Sequence, residues 1–213
     1  MQFSETLRAR HSVRLFRNTP VSLETLRAVV ADAQLAPSWV NAQEWKVWIA
    51  TGKTLETVRR EHSQKDNAGV KGESDLEPNH RDSFSPMARE NMAAFVQSRI
   101  DAGLGDIKIQ SQAELFHAPA VIYLTLPKGF QPYMLFDLGG FEQTLMLAAA
   151  DRGLGTVTAY NLVKYPDLLR KHVGIPETEA IVIGIAVGYE EKHALNDFRS
   201  KRRPVDDILT VRD

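Results

Sequence analysis

Arg10-His11-Ser12-Val13-Arg14 places two guanidinium groups and a hydroxyl within one short string. Guanidinium forks match phosphate oxygens in geometry and stay charged at any relevant pH, so the string suits a phosphate. Taken alone it reads as a solvated charged turn, because arginine is common on surfaces. A second stretch, Ala36-Pro37-Ser38-Trp39-Val40-Asn41-Ala42-Gln43-Glu44-Trp45, breaks a helix with proline and then supplies a hydroxyl and two amides. Asn41 and Gln43 each offer a donor and an acceptor, which suits the alternating carbonyl and N–H edge of a pyrimidine-like ring. Alone, ordinary loop chemistry between a helix and a strand explains it.

Three further groups bear on chemistry. Gly153-Leu154-Gly155-Thr156 runs from a helix into a strand, the reverse of a dinucleotide fingerprint, and lacks the third glycine. A capped helix end with close strand packing accounts for these glycines. The backbone N–H groups of Ala159 to Asn161, just beyond, could then face a ligand. Arg199, Lys201, Arg202 and Arg203 form a basic cluster before Pro204, without the aromatic interleaving of a nucleic-acid surface. If a phosphate is bound, that cluster is most economically a second phosphate-facing set meeting Arg10. The six histidines include no pair spaced i, i+4 with a supporting carboxylate, so no zinc site of the usual spacing is expected. Ser12 lacks a nucleophile elbow, and hydrolysis is unsupported.

The elements that must position these groups follow from periodicity and punctuation. A short helix is expected over Ser4 to Ala9, and another over Leu23 to Leu35 with Ser22 as N-cap. Trp45 to Thr51 reads as a strand ending at Gly52, followed by a helix over Thr54 to Glu61. The polar stretch 62–85 reads as a long loop or mobile lid. Pro86 opens a helix to about Ile100, and Gln110 to Phe116 suggests another short one. Strands follow at Pro119 to Leu126, buried on both faces, at Leu154 to Tyr160 and at Ala180 to Gly188. Pro132 to Arg152 is apolar nearly all round, as a helix in a core or an interface is. A helix over Pro166 to His172 and a last short strand, Ile208 to Val211, complete an α+β sandwich with a central sheet.

Composition sets the bounds. The chain has 213 residues, 43% hydrophobic and 25% charged, the mix of one globular domain with elaborations. A net charge of −1 gives no pull toward nucleic acid or an anionic membrane. Residues 1 to 20 show no apolar signal segment, and Asp137 and Glu142 interrupt the longest apolar run. A cytoplasmic protein is expected. The absence of cysteine excludes disulfides, thiolate metal sites and a cysteine nucleophile, so any redox chemistry falls to a bound cofactor.

RHSVR at 10–14, APSWVNAQEW at 36–45, DLGGFEQTLMLAAADRGLGT at 137–156, GIPETEAIVIGIAVGYEE at 174–191 and FRSKRRPVDDIL at 198–209 stand in the order of the nitroreductase family. Each is weak alone, but five in register resemble that family from end to end. The resemblance implies a single nitroreductase-like domain over 1–213, with a mainly antiparallel central sheet flanked by helices. It implies a homodimer with FMN at the subunit interface, and the apolar helix 132–152 is expected to form part of that interface as well as of the core. The implied cofactor-binding set is Arg10, His11, Ser12, Arg14, Pro37, Ser38, Trp39, Asn41, Gln43, Thr158, Tyr160, Asn161, Arg199 and Arg202. Within it Arg10, Ser12 and Arg202 would hold the phosphate and ribityl end, and Arg14 would reach N1 and O2 of the ring. Pro37, Ser38 and Trp39 of the partner chain would line the ring. Asn41 and Gln43 would mainly order that loop, and the backbone at Tyr160 and Asn161 would approach N5. The implied reaction is ping-pong transfer from NAD(P)H through FMN to a nitroaromatic, quinone or similar small acceptor. Other flavin chemistry of the family (enone reduction, dehalogenation, flavin cleavage) and a non-catalytic flavin carrier are the alternatives. The chain departs from the pattern at Glu44, where proline is usual, at Trp39, where small residues are common, and at 159–161, which lack the frequent glycine. Substrate choice is expected to lie in 62–85.

Overall fold

The computed structural model describes residues 1–105 and 112–213, which form two compact units. The larger takes in residues 1–78 and 112–196, and the smaller takes in 79–105 and 197–213. The larger unit is built on four antiparallel strands: β1 (Lys46–Thr51), β2 (Ala120–Pro127), β3 (Gly155–Ala159) and β4 (Glu179–Gly188), in spatial order β1-β2-β4-β3.

Strand β2 shows why the sheet lies between two layers. Ile122 and Leu124 face one core with Leu26, Val29, Phe141 and Leu145, while Val121 and Tyr123 face another with Leu55, Val58 and Leu169. Side chains alternate across a strand, so a run apolar at every position must be covered twice. Helices α2 (Leu23–Ala33) and α5 (Pro132–Asp151) cover the first face; α3 (Gly52–Asn67) and α6 (Pro166–Val173) cover the second. Ser22 Oγ accepts from the Thr25 N–H at 3.0 Å, the cap expected for α2. A short N-terminal helix, α1 (Phe3–Ala9), precedes the Arg10–Arg14 string. Among the described residues, no helix is long and apolar enough to cross a membrane.

Helix α5 is followed by Gly153 at φ +72°, with the Leu154 N–H bonded to Ala149 O at 3.0 Å, a Schellman-type end. Gly155 is demanded by packing: a Cβ there would lie 2.5 Å from Val13 Cγ2. Both glycines thus bring the Arg10–Arg14 string against β3.

Three expectations need correction. The segment 62–85 is not one lid: α3 continues to Asn67, and its continuation is pinned down. Asp75 Oδ2 accepts from Arg170 Nη2 and from the Ile181 N–H, both at 2.7 Å, and Tyr165 donates to Val70 O at 2.8 Å. These ties join residues about a hundred positions apart in sequence, which local composition does not register. Gln110 to Phe116 was expected to be helical, and its first two residues lie outside the described ones. Its remainder leads into a left-handed turn, with Leu115, Phe116 and His117 at φ +52°, +60° and +54°. Arg59 brackets that turn by donating to Glu114 O at 3.1 Å and Ala118 O at 2.5 Å. Ile208 to Val211 forms no strand; a 3-10 turn at Val205–Asp207 precedes it, with Arg203 Nη2 donating to Asp207 O at 3.0 Å. In the smaller unit α4 (Pro86–Asp101) starts at Pro86 as expected, capped by Ser85, and a four-residue α7 (Ala194–Asp197) spans the unit boundary.

Candidate functional site

The Arg10–Arg14 string lies extended beside the sheet. Ser12 bridges Thr156 in parallel, the Val13 N–H donates to Thr156 O at 2.9 Å, and Phe16 bridges Glu190. Asn196, fully buried, clamps the same string: its Oδ1 accepts from the Arg14 N–H at 2.8 Å and its Nδ2 donates to Leu15 O and Glu191 O. With the backbone fixed from both sides, the side chains of Arg10, Ser12 and Arg14 are held to one edge. Arg14 Nη1 donates to Ser12 O at 3.2 Å, and His11 Nε2 meets Glu190 Oε1 at 3.0 Å. Arg10 and His11 line a cleft of 210 Å³ with Ala150, Gly153 and Thr156.

Farther along β3, Thr158 donates to Glu142 Oε1 at 2.6 Å, and the strand passes into a 3-10 turn at Tyr160–Leu162. Ser12 and Val13 thus lie against Thr156 of β3, Thr158 stands on the same strand, and Tyr160 and Asn161 open the turn that follows it.

Pro37, Ser38, Trp39, Asn41 and Gln43 gather elsewhere. The Trp39 N–H donates to Asp137 Oδ2 at 2.8 Å, and its ring lies 5.2 Å from that of Tyr133. Both partners belong to the first turns of α5, whereas the Arg10–Val13 cleft abuts Ala150 at its far end. At the helical rise, Tyr133 and Ala150 stand about 25 Å apart. Gln43 Nε2 donates to Asn41 Oδ1 at 2.9 Å, its N–H to Ser38 Oγ at 3.1 Å, and Gln34 Nε2 to Gln43 Oε1 at 2.7 Å. The Asn41 side-chain oxygen and both ends of the Gln43 amide are engaged within the loop or at the end of α2 beside it. The loop needs this support, because Val40, Asn41 and Gln43 hold φ of +43°, +61° and +50°. A β-branched residue there is strained, and strain of this kind persists where neighbours over-determine it.

A second cleft of 210 Å³ lies between Trp39, Glu44, Trp45, Tyr133 and Met134. Neither cleft alone reaches the roughly 300–1,000 Å³ usual for ligand pockets.

Arg199 and Arg202 belong to the smaller unit. There Arg202 Nη1 donates to Ser200 Oγ at 2.7 Å and, with Lys201 and Arg203, lines a cleft against Phe95 and Ser98.

Sequence reasoning missed Asn196, Glu142 and two side chains of α3, Arg59 and His62. Asn196, Arg59 and His62 sit outside the motifs, Glu142 sits inside the one at 137–156 without standing out in it, and each acts across 16 or more positions of chain, so no local spacing reveals it.

Comparison with known proteins gives a consistent picture. A 4-nitrobenzoate reductase of Nocardioides sp. (strain LMS-CY) is 28% identical, covering 98% of this chain and 89% of its own length. The nitroreductase NfnB of Mycolicibacterium smegmatis is 30% identical, with 92% and 86% covered. The crystal structure of the FMN-dependent nitroreductase NfnB from Mycobacterium smegmatis in complex with NADPH superposes with a TM-score of 0.90 at 26% identity, covering 100% of this chain and 99% of that one. The sequence model described as "Nitroreductase family" matches residues 7–189, nearly the whole of the larger unit and most of the chain. With that model matched over most of its length and a helix-flanked antiparallel sheet, the chain belongs to the nitroreductase family.

Proposed function

We propose that this protein is a homodimeric, FMN-dependent NAD(P)H oxidoreductase that reduces nitroaromatic, quinone or similar electron-poor acceptors. One observation carries the two-chain reading: the Trp39 loop sits on the first turns of α5, whereas the Arg10–Val13 cleft abuts Ala150 near the other end, about 25 Å from Tyr133 along the helix. A second copy of the chain, packed on α5, supplies the missing half. Phe136 is 77% exposed on that helix, beside exposed Tyr133 and Leu135, which is what an uncovered interface looks like. Membership of the family supports FMN as the cofactor, and the relatives that reduce nitrobenzoate and bind NADPH support the substrates.

The donor set fits the cofactor. Arg10 and Ser12 would hold the phosphate and ribityl end, with His11 beside them, and the family pattern gives Arg199 and Arg202 the same task. Arg14 would set a fixed positive charge at the pyrimidine end of the ring, favouring the negative charge that the reduced ring carries. Pro37, Ser38 and Trp39 of the partner would lie against the ring, while Asn41 and Gln43 keep that loop in shape. Thr158 and the backbone at Tyr160 and Asn161 would meet the ring edge that accepts hydride. When bound, FMN supplies two-electron chemistry, taking a hydride from NAD(P)H and passing electrons to the acceptor. No side-chain acid or base is assigned.

Anaerobic addition of NADPH or NADH to the purified yellow protein tests the reading. Bleaching of the visible flavin band, restored by a nitroaromatic, is the expected result. A colourless protein that takes up no added FMN overturns it, and a yellow protein that neither nucleotide bleaches points to a carrier.

A further inference from the structure

Outside the binding edge, His62 is a buried titratable side chain with no role in the chemistry above. His62, on α3, is only 2% exposed. Its Nδ1 lies 2.8 Å from Ala113 O and its Nε2 lies 2.7 Å from Asn161 O. A carbonyl oxygen only accepts, so each contact calls for an N–H on the ring; a neutral imidazole has one, and the imidazolium has two. Both contacts are therefore complete only in the protonated ring.

The surroundings treat that second proton unevenly. Asp66, on the same helix, favours it, while Lys164, paired with Asp66, opposes it. Arg59 stands one turn earlier on α3 with its guanidinium on Glu114 O and Ala118 O. The Tyr165 ring packs edge-on at 4.9 Å, and Lys65 Nζ lies 5.2 Å from that ring while bound to Asp167. Toward α6, Glu61 engages His172 and Lys171. Burial outweighs the rest and holds the His62 pKa below the ordinary imidazole range.

The same part of α3 and its continuation hold the chain around Asn161 by other ties. Lys164 donates to Asp66 Oδ1 at 2.5 Å, the Glu73 N–H to Lys164 O at 3.0 Å, and Gly72 is so close to Tyr160 that a Cβ would lie 2.5 Å from its hydroxyl. We propose that His62 is a positioning residue for the turn Tyr160–Leu162, and that the number of protons on its ring sets how firmly that turn is held. On the reading above, from which this inference follows, the turn is the part of the chain that meets the hydride-accepting edge of the flavin. Residues 62–75 then act as a brace on the flavin site.

Two measurements on the FMN-loaded protein test this. The first follows the His62 ring and the Tyr160 to Leu162 amides by NMR through a pH titration. Those amides are expected to shift with the same midpoint as the ring, and amides indifferent to the ring's titration overturn the proposal. The second is the anaerobic rate of flavin bleaching by NADPH across the same pH range. A net hydrogen bond of ordinary strength predicts a rate about five-fold higher on the acid side of the His62 midpoint. His62→Gln, which donates but does not titrate, is expected to retain FMN and lose that inflection. His62→Phe is expected to stay at or below the alkaline limit at every pH, chiefly through kcat and with little change in KM for NADPH. An inflection that survives in His62→Gln overturns the proposal. A wild-type protein that NADPH reduces at no pH instead overturns the functional reading, and the NMR coupling then decides the hold on the turn by itself.

Discussion

Arg10 and Arg14 show how much of this site lives in single side chains, and how much in what holds them. Their string carries the charge, but Asn196 and Gly155 fix its path. Gly155→Ala drives a Cβ toward Val13 and is expected to cost about 1–3 kcal/mol, as over-packing a core does. A thermal melt, with FMN retention measured beside it, checks this. On the phosphate side, each charge-assisted hydrogen bond is worth about 1.5–3 kcal/mol. Arg10→Ala combined with Arg202→Ala should therefore weaken FMN binding about a hundredfold or more. Fluorescence titration of the apoprotein reads that change, and an unaltered affinity would show the phosphate to be held elsewhere.

Helices and loops act here chiefly by tying distant backbone together. Asp75 fastens the segment after α3 to β4 through Arg170 and the Ile181 N–H, and neither Asp75 nor Arg170 is well exposed. Asp75→Ala takes the carboxylate from the Ile181 N–H and removes one of several partners of Arg170, at about 1–3 kcal/mol, and should raise amide exchange across 68–78. Exchange confined to wild-type rates would mean that the segment is held by its other ties. Between α3 and α6 the Glu61 carboxylate is kept below its ordinary pKa by its hydrogen bond with His172, assisted by Lys171. A depressed carboxylate contributes stability at pH above its unfolded value, about 4.3, and loses it as pH falls through the folded value. Acid melts of Glu61→Gln should accordingly show a shallower loss than the wild type over that window.

At the scale of the molecule the unresolved need is for a cover over α5. Its inner face is sealed by Leu138, Phe141 and Leu145, while Tyr133, Leu135 and Phe136 remain in solvent in one chain. Sedimentation is expected to give a dimer, and Phe136→Glu to shift it toward a monomer that melts cooperatively yet binds FMN poorly. A Phe136→Glu monomer with undiminished FMN affinity would place the whole site within one chain.

The sequence by itself determined the strands and helices whose apolar periodicity is strong, the helix end at Gly153, and the motifs that mark the family. These are local signals, set by burial on a helical or alternating repeat and by the backbone freedom of glycine. Only the tertiary structure decided what the polar segments do. The stretch read as a lid proved partly helical and pinned, because its partners Arg170, Lys164 and Ile181 lie about a hundred residues away. The turn at 115–117 took positive φ between two carbonyls, of Glu114 and Ala118, that Arg59 holds, and the Trp39 loop and the Arg10–Val13 cleft turned out to abut different turns of α5. Hydrogen bonds and ion pairs between remote residues leave no period in a sequence; they exist only once the chain has folded and brought both partners together.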